Sequence, residues 1–335
     1  MKIFKHILKS PGEDVNNVDL IKKIKVLNSL LMIPFASKEK LKTMPIGYNL
    51  IALFRKMRIK KSVSYELVRL IKKIKFNLKR SKISGFEGAP LVEQRELEND
   101  GSCFIHGEDV KPLLAACEII FNEKKYLNIP SAVVEKTHNP NILRKDDFLK
   151  YPEILKFAMN EKILNIVSAY LGMLPQIAQV QLWLTPPNDT LVSSQLFHID
   201  SDDLKMVKLF VNCNDVDIDS GPFTFFSKSD TAIFKKYYSI DYHDRYTDKS
   251  VERALPSQSP KKLLNKGSTL LIDTTNCLHF GGRGNKKERL IFYVAYHPVP
   301  VVLEPAGEMP DIPVHLLSSQ QFLLFDESKI SQFST

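Results

Sequence analysis

The second half of this 335-residue chain reads as a series of short β-strands, and this pattern limits the folds open to it. Apolar and polar residues alternate over 177–184, a run that ends at Pro186-Pro187. Further strand-like runs follow, the last over Arg289–His297 before Pro298. Alternation with a period of two is typical of β-strands. Several short strands separated by turn residues favour a β-sandwich or barrel.

The first half of the chain has a helical pattern instead. The clearest predicted helices cover 110–122 and 151–171, the second followed by Gly172 as a stop signal. A turn-rich break at 84–90 separates them from an earlier basic stretch. The sequence therefore predicts an α+β protein with a basic helical extension over 1–90, a domain over 91–300 and a tail over 301–335. The β core of the domain is expected at about 175–300.

Composition places the chain among ordinary globular proteins, with 44% hydrophobic and 25% charged residues. No apolar run approaches the ~20 residues of a transmembrane helix, and the first residues do not resemble a signal peptide. The four cysteines form no C-x-x-C pair. These features predict reduced thiols and a cytoplasmic setting.

Positive charge is concentrated in residues 52–83, which contain twelve Lys or Arg residues and a single acidic residue, Glu66. Apolar residues recur there at helical spacing, which predicts a basic amphipathic helix. Such a helix can lie on an anionic membrane surface or accept a phosphorylated substrate. The alternative is a helix that packs its apolar stripe on the domain and exposes its lysines. No recognised nucleic-acid motif accompanies the charge, so we expect no specific nucleic-acid binding.

Three residues in the β-rich half have the types and spacing of a metal site. The run 192–199 reads as a strand, and at spacing i and i+2 on a strand His198 and Asp200 would point to the same side. His279 lies 81 residues after His198 and follows another strand-like run, 268–273. Two imidazoles and one carboxylate can occupy one face of an octahedral metal and leave the other open, as in non-heme Fe(II) oxygenases. Because H-x-D also arises by chance, the prediction depends on its context.

Four fragments, in order, resemble the phytanoyl-CoA dioxygenase family. They are the helix at 151–172, the tetrapeptide 197–200, an acidic stretch with Gly-Pro and a hydrophobic strand at 214–227, and the segment 266–289 with a distal His and an Arg. The resemblance implies a double-stranded β-helix, a jelly-roll of the cupin-like type. Ser229-Asp230 and Gly267-Ser268 depart from the family's frequent Ser-His and Gly-Asp, and neither position supplies a metal ligand in the family.

The resemblance implies an oxidoreductase, an Fe(II)/2-oxoglutarate-dependent dioxygenase. His198, Asp200 and His279 would hold Fe(II), with 2-oxoglutarate and O2 as co-substrates. Arg289 opens the last strand and is expected to bind the far carboxylate of 2-oxoglutarate, with Arg283 in the preceding turn as the alternative. The presence of Asp200, which iron halogenases of this group lack, favours hydroxylation of an unactivated C–H bond in a small-molecule or carrier-linked metabolite.

A second reading is a cupin-type metal-binding protein or isomerase without 2-oxoglutarate, tethered to anionic partners by the basic helix. Among residues close to the triad in sequence, Lys208 is predicted to touch the co-substrate. Asp202 and Asp203 are expected to be solvated loop acids. Trp183 is expected to pack in the core.

Overall fold

The computed structural model describes residues 51, 54–56, 60–75, 92–124, 139–240 and 244–303, with short pieces at 312–313, 316–318, 321, 323–325 and 330–331. The chain divides into two units, Met1–Asn49 and Leu50–Thr335, and every described residue belongs to the second. Most of the predicted extension, the break at 84–90 and most of the tail lie outside the described residues. Within the described part, no helix is long and apolar enough to cross a membrane.

Helices precede and flank the strands. They are α1 (Lys61–Lys75), α2 (Val92–Asp100), α3 (Lys111–Lys124), α4 (Lys145–Lys150), α5 (Glu153–Ala158), α6 (Glu161–Leu171), α7 (Lys228–Tyr237) and α8 (Asp248–Ala254). The predicted helix over 110–122 is confirmed as α3. The single helix predicted over 151–171 is wrong, because Asn160 interrupts it between α5 and α6. The Asn160 side chain accepts a hydrogen bond from the backbone N–H of Ile163 and so caps a new helix.

The strands form two five-stranded antiparallel sheets. They are β1 (Ser102–Phe104), β2 (Gln176–Thr185), β3 (Phe197–His198), β4 (Val207–Asn212), β5 (Thr224–Phe225), β6 (Arg245–Tyr246), β7 (Lys261–Lys262), β8 (Thr269–Ile272), β9 (His279–Phe280), β10 (Arg289–His297), β11 (Ile312–Pro313) and β12 (Ile330–Ser331). The first sheet has the order β1-β8-β4-β10-β2 and the second the order β6-β3-β9-β5-β7. β11 and β12 pair separately in parallel.

The strand predicted over 192–199 is corrected by the structure. Residues Ser193–Gln195 form a 3-10 turn, and only Phe197–His198 are strand. The side chain of Gln195 accepts a hydrogen bond from the backbone N–H of Val192 at 3.0 Å, which closes the turn. The chain therefore enters β3 only one residue before the first histidine of the triad.

β10 is buried along its whole length and separates two parts of the core. Ile291, Tyr293 and Ala295 pack in a cluster that includes Phe225 of the second sheet. The alternate residues Leu290, Phe292, Val294 and Tyr296 belong to a larger cluster with α2 to α6. This alternation places one face of the first sheet against the helices and the other toward the second sheet.

The second sheet is covered on its other face by α7 and α8. Phe197 of β3 and Phe280 of β9 share a cluster with Phe234 of α7 and Val251 of α8. Successive side chains on a strand point to opposite faces. His198, which follows Phe197, and His279, which precedes Phe280, therefore point toward the first sheet.

Candidate metal centre

The two histidines of the predicted triad meet across a strand pair. His198 of β3 is the direct register partner of His279 of β9. Their ring centroids are 4.2 Å apart. Residues opposite one another in an antiparallel pair have side chains on the same face. The strand predicted over 268–273 is present as β8, and His279 itself lies on a separate short strand, β9.

Asp200 completes the cluster from just beyond β3. The ligand atoms of His198, Asp200 and His279 all lie within 4.8 Å of one another. Asp200 Oδ1 is 3.6 Å from the Nε2 of His198, and Oδ2 is 3.8 Å from the Nε2 of His279. Strand alternation does not place Asp200, because β3 ends at His198. Instead its backbone N–H donates to the carbonyl of Thr274 at 2.9 Å, which fixes the chain beside β9.

Both imidazoles are oriented with Nε2 toward Asp200. The Nδ1 of His198 lies 2.9 Å from the carbonyl oxygen of Leu196, and the Nδ1 of His279 lies 2.8 Å from that of Cys277. A carbonyl only accepts, so each Nδ1 carries the hydrogen and each Nε2 keeps its lone pair. Burial lowers the pKa of both rings. Neutral imidazoles with a fixed Nδ1–H are the form that binds metals.

Lys208 of β4 supplies the counter-charge of Asp200. Its Nζ lies 2.6 Å from Asp200 Oδ2. Burial raises the pKa of the Asp200 carboxyl, but the adjacent ammonium of Lys208 outweighs this and holds that pKa well below its usual range. The carboxylate is therefore ionised, with Oδ2 paired to Lys208. Contact between Lys208 and a co-substrate stays a prediction.

Arg289 is a buried cation at the start of β10, with 2% of its surface exposed. Its Nη1 donates to the carbonyl of Gly221 at 2.9 Å and its Nη2 to Thr185 Oγ1 at 3.2 Å. Its Nε finds no partner among the described residues, and none of them offers it a carboxylate. Burial lowers the pKa of Arg289 to about 10. Removing a guanidinium from water without an anion costs several kcal/mol, so this site fits a ligand that carries a carboxylate.

The turn before Arg289 is shaped around its guanidinium. Gly282 has φ +69°, and a Cβ there would lie 2.9 Å from Nη2 of Arg289. A side chain at this position would therefore be strained and would also strike the guanidinium.

Arg283, the alternative co-substrate residue, is engaged elsewhere. Its Nη2 lies 2.9 Å from Asp248 Oδ1, and its Nη1 donates to the carbonyl of Gln195 at 3.2 Å. The guanidinium also stacks on Phe280, 3.5 Å from the ring centre. Phe280 belongs to the face of the second sheet that is turned away from the triad. Arg283 is thus already paired with a carboxylate, whereas Arg289 has none among the described residues.

Helix α1, part of the basic segment, lies against the residues that follow His198. Lys61 Nζ is 3.4 Å from the backbone oxygen of Asp200. One turn later the Tyr65 hydroxyl donates to the backbone oxygen of Ser201. One further turn along, Arg69 pairs with Asp203. The helical spacing of these three residues lays one face of α1 along the triad loop.

The expectation that Asp202 and Asp203 are solvated loop acids is wrong. Asp203 is fully buried beside Arg69, and Asp202 is partly buried. Burial raises the pKa of each carboxyl to about 6. The apolar stripe predicted in the basic segment includes Val63, Leu67 and Leu70, but it is not the buried face of α1: Tyr65 and Val68 are fully buried, whereas Leu70 is exposed. The sequence carries no signal of which surface this helix covers.

The interior next to the triad is partly polar. Trp183 of β2 stacks on Tyr293 of β10 with ring centroids 4.2 Å apart, in agreement with the predicted packing role. The Tyr293 hydroxyl donates to Gln179 Oε1 at 3.0 Å. His297 is fully buried, and neither ring nitrogen has a hydrogen-bond partner among the described residues.

Comparison with known proteins gives likenesses of structure only. No protein-family model matches the sequence, and no curated protein matches it. EctD from S. alaskensis, solved with 2-oxoglutarate and 5-hydroxyectoine, has a TM-score of 0.46 and 14% identity over 64% of this chain and 79% of its own. HygX from Streptomyces hygroscopicus, solved with nickel and 2-oxoglutarate, has a TM-score of 0.44 and 15% identity over 66% and 96%.

The non-heme alpha-ketoglutarate-dependent carbocyclase SnoK from nogalamycin biosynthesis has a TM-score of 0.40 and 12% identity over 67% of this chain and 96% of its own. Another structure of EctD was solved with bound Fe. Identities and TM-scores this low do not transfer the ligands or activities of these proteins to this chain.

Proposed function

We propose that this chain is an Fe(II)/2-oxoglutarate-dependent dioxygenase of the phytanoyl-CoA dioxygenase family. Its two antiparallel sheets would be the halves of a double-stranded β-helix, over about 175–300 within a domain of 91–300. The observation that carries the proposal is the buried guanidinium of Arg289, without a carboxylate partner among the described residues, in the same β core as His198, Asp200 and His279. The triad alone would suit many metals, whereas an anion site in the same β core suits a chelating dicarboxylate.

The three triad residues would hold the iron. Their donor set of two neutral imidazoles and one ionised carboxylate matches the ligands used by non-heme Fe(II) enzymes and leaves coordination positions open. With 2-oxoglutarate and O2, bound iron would supply the oxidation of an unactivated C–H bond. Asp200 occupies the position that iron halogenases of this group leave for halide, so hydroxylation is the reaction we propose.

Each protein group around the iron would have its own task. The carbonyls of Leu196 and Cys277 hold the imidazoles in the metal-binding tautomer. Lys208 keeps Asp200 ionised and restricts its rotation. Arg289 would bind the far carboxylate of 2-oxoglutarate through its free Nε–H and its outer nitrogens, and so fix the direction in which that molecule enters.

The substrate would be a small-molecule or carrier-linked metabolite. Peripheral contact between residues 52–83 and an anionic membrane or phosphorylated substrate stays a prediction. In the described part of that segment, Lys61 and Arg69 lie against the triad loop.

Turnover of 2-oxoglutarate tests the proposal directly. The purified protein with ferrous iron, O2 and 2-oxoglutarate is expected to form succinate and consume O2 even without its substrate, at a slow uncoupled rate. The double variant His198→Ala/Asp200→Ala should lose this turnover. If that variant forms succinate as fast as the wild type, the proposed function is wrong.

The alternative, a cupin-type metal protein without 2-oxoglutarate, makes the opposite prediction. It would bind a divalent metal at the triad, yet 2-oxoglutarate would neither bind nor be consumed. Anaerobic titration of the metal-loaded protein with 2-oxoglutarate separates the two functions.

A further inference from the structure

His297 is a buried residue whose ring nitrogens both lack a hydrogen-bond partner among the described residues. Burial lowers its pKa to about 3, so the ring is neutral and offers one N–H donor and one lone pair. The large majority of buried polar atoms in native proteins are hydrogen-bonded, because burying them without a partner is unfavourable. The two nitrogens of His297 are therefore suited to bind a molecule other than the protein itself.

The ring of His297 points into the part of the β core that contains the triad. Side chains of β10 alternate between the two faces of the first sheet, and His297 follows Tyr293 and Ala295 on the face toward the second sheet. Lys208, the register partner of Ala295, pairs with Asp200. The charges of Lys208 and Asp200 both act on the His297 ring, which places it close to a proposed metal ligand.

Arg289 and His297 lie at the two ends of β10, a strand that spans ~26 Å. Arg289 would bind the far carboxylate of 2-oxoglutarate, so that molecule would occupy the interior between Arg289 and the metal. Lys208 reaches Asp200 from the other half of the strand, beside Ala295. The end of the core at His297 is therefore left for the substrate.

The charges around His297 are already balanced in pairs. They belong to Lys208, Asp200 and Arg69. Lys208 pairs with Asp200, and Arg69 pairs with Asp203. An uncharged ligand therefore fits this end of the core.

We propose that His297 binds a hydroxyl group of the substrate and so holds the neighbouring C–H bond near the metal. The inference rests on the proposed function, because it places the hydroxyl beside the proposed iron site. A hydroxyl both donates and accepts, so it can pair with the ring nitrogen it meets in either tautomer of His297. A substrate without a hydrogen-bonding group at this place would leave the buried ring unpaired, which disfavours that substrate.

Paramagnetic relaxation of a small alcohol tests the inference without a known substrate. The full-length protein is loaded with Mn(II), which is stable in air, and saturated with 2-oxoglutarate. The methyl protons of 2-propanol are followed by ¹H relaxation, and those of 2-chloropropane, which lacks the hydroxyl, serve as the comparison. Relaxation by Mn(II) falls steeply with distance, so only a molecule bound near the metal shows a saturable increase.

Three variants separate the hydrogen bond from the shape of the side chain. His297→Leu removes both ring nitrogens, and we expect the affinity for 2-propanol to fall about fivefold, the size of one lost hydrogen bond. His297→Gln keeps a donor and an acceptor and should restore most of that affinity. His106→Leu, at an exposed position, is the matched control and should bind 2-propanol as the wild type does. The affinity for 2-chloropropane should not fall in His297→Leu.

Urea unfolding of the same proteins distinguishes a ligand-binding ring from a structural one. Because the ring has no partner among the described residues, replacing it with an apolar side chain should not destabilise the protein. We expect His297→Leu to unfold at a urea concentration no lower than the wild type. A clearly lower midpoint, or a variant that fails to fold, would show that the ring stabilises the fold and would overturn the inference.

The remaining outcomes separate the inference from the proposed function. Saturable relaxation of 2-propanol that weakens in His297→Leu and returns in His297→Gln supports the hydroxyl site. No saturation in protein that retains Mn(II) and 2-oxoglutarate, or equal affinity in the wild type and His297→Leu, overturns that site and leaves the proposed function standing. Protein that binds Mn(II) but not 2-oxoglutarate overturns the proposed function, and the inference with it.

Discussion

His198 and His279 face each other across the β3–β9 pair, and each ring is held by a carbonyl two residues before it in the chain. Because each Nδ1–H already donates a hydrogen bond to a carbonyl, both Nε2 atoms are directed at Asp200 before any metal binds. Ligands restrained in this way lose little conformational freedom on binding. We therefore expect the triad to bind metal without rearrangement of its strands.

Arg289 and Arg283 should differ sharply in their effect on 2-oxoglutarate. Replacing Arg289 with Met removes the buried cation that would pair with the far carboxylate, a loss of about 3 kcal/mol or roughly 100-fold in Kd. Arg283→Met, the matched control, removes a cation that pairs with Asp248 and should change the Kd little. Calorimetric titration of the Mn(II)-loaded protein measures both. Equal losses in the two variants would contradict the assignment of Arg289.

Asp203 should make the stability of the metal-free protein depend on pH. Burial raises its pKa to about 6 in the folded state, against ~3.9 in unfolded chains. The folded protein therefore binds the proton more tightly. The resulting stability is fully present below pH 4 and is lost as pH rises to about 6. A shift of about two pKa units corresponds to a loss of roughly 3 kcal/mol in the free energy of unfolding.

Urea unfolding of the wild type and of Asp203→Asn at several pH values measures this dependence. The wild type should lose stability relative to Asp203→Asn between pH 4 and 6, and the difference should stay constant above pH 7. Asp215→Asn, at an exposed loop position, should follow the wild type. If the free energies of unfolding of the wild type and of Asp203→Asn differ by a constant amount over the whole pH range, burial does not raise the pKa of Asp203 in the folded protein.

Asp273 should stabilise the turn that carries the distal histidine. Its buried carboxylate accepts hydrogen bonds from the Tyr170 hydroxyl at 2.7 Å, from the Thr275 backbone at 2.9 Å and from Asn276 at 2.8 Å. Asp273→Ala leaves these donors unsatisfied and should lower the free energy of unfolding by about 3–5 kcal/mol. Tyr170→Phe removes one of these bonds and should cost about 1 kcal/mol.

The same turn supplies the Thr274 carbonyl that fixes Asp200 and the Cys277 carbonyl that fixes His279. Asp273→Ala should therefore also weaken binding of Mn(II), whereas Tyr170→Phe should bind it as the wild type does. Chemical unfolding and metal titration of both variants provide the comparison. If Asp273→Ala lowers the free energy of unfolding no more than Tyr170→Phe does, the Asp273 carboxylate does not stabilise this turn.

Local pattern was enough to predict the strands that build the β core. Apolar runs and flanking turn residues indicated β2, β8 and β10 close to their observed bounds, because these strands bury at least one face. The grouping of His198, Asp200 and His279 was also expected from residue type and spacing. The reason given for Asp200 was wrong, since a hydrogen bond to Thr274 rather than strand alternation brings it in.

Features that depend on distant partners were not predictable from local pattern. Asp203 is buried because Arg69, 134 residues earlier, lies against it. Nothing near Asp203 in the sequence indicates that partner, so the residue reads as a solvated acid. The interruption of the predicted 151–171 helix depends on a single cap at Asn160, a residue that also occurs inside helices.

In the proposed function, the triad and Arg289 together hold Fe(II) and 2-oxoglutarate. The most direct measurement is the visible charge-transfer absorption that develops when a 2-oxo acid chelates ferrous iron, recorded without O2. We expect one equivalent of Fe(II) with 2-oxoglutarate to produce this band in the wild type and in Arg283→Met, and His279→Ala to abolish it. Folded wild-type protein that develops no band, or a His279→Ala variant that develops the full band, would contradict the proposed function.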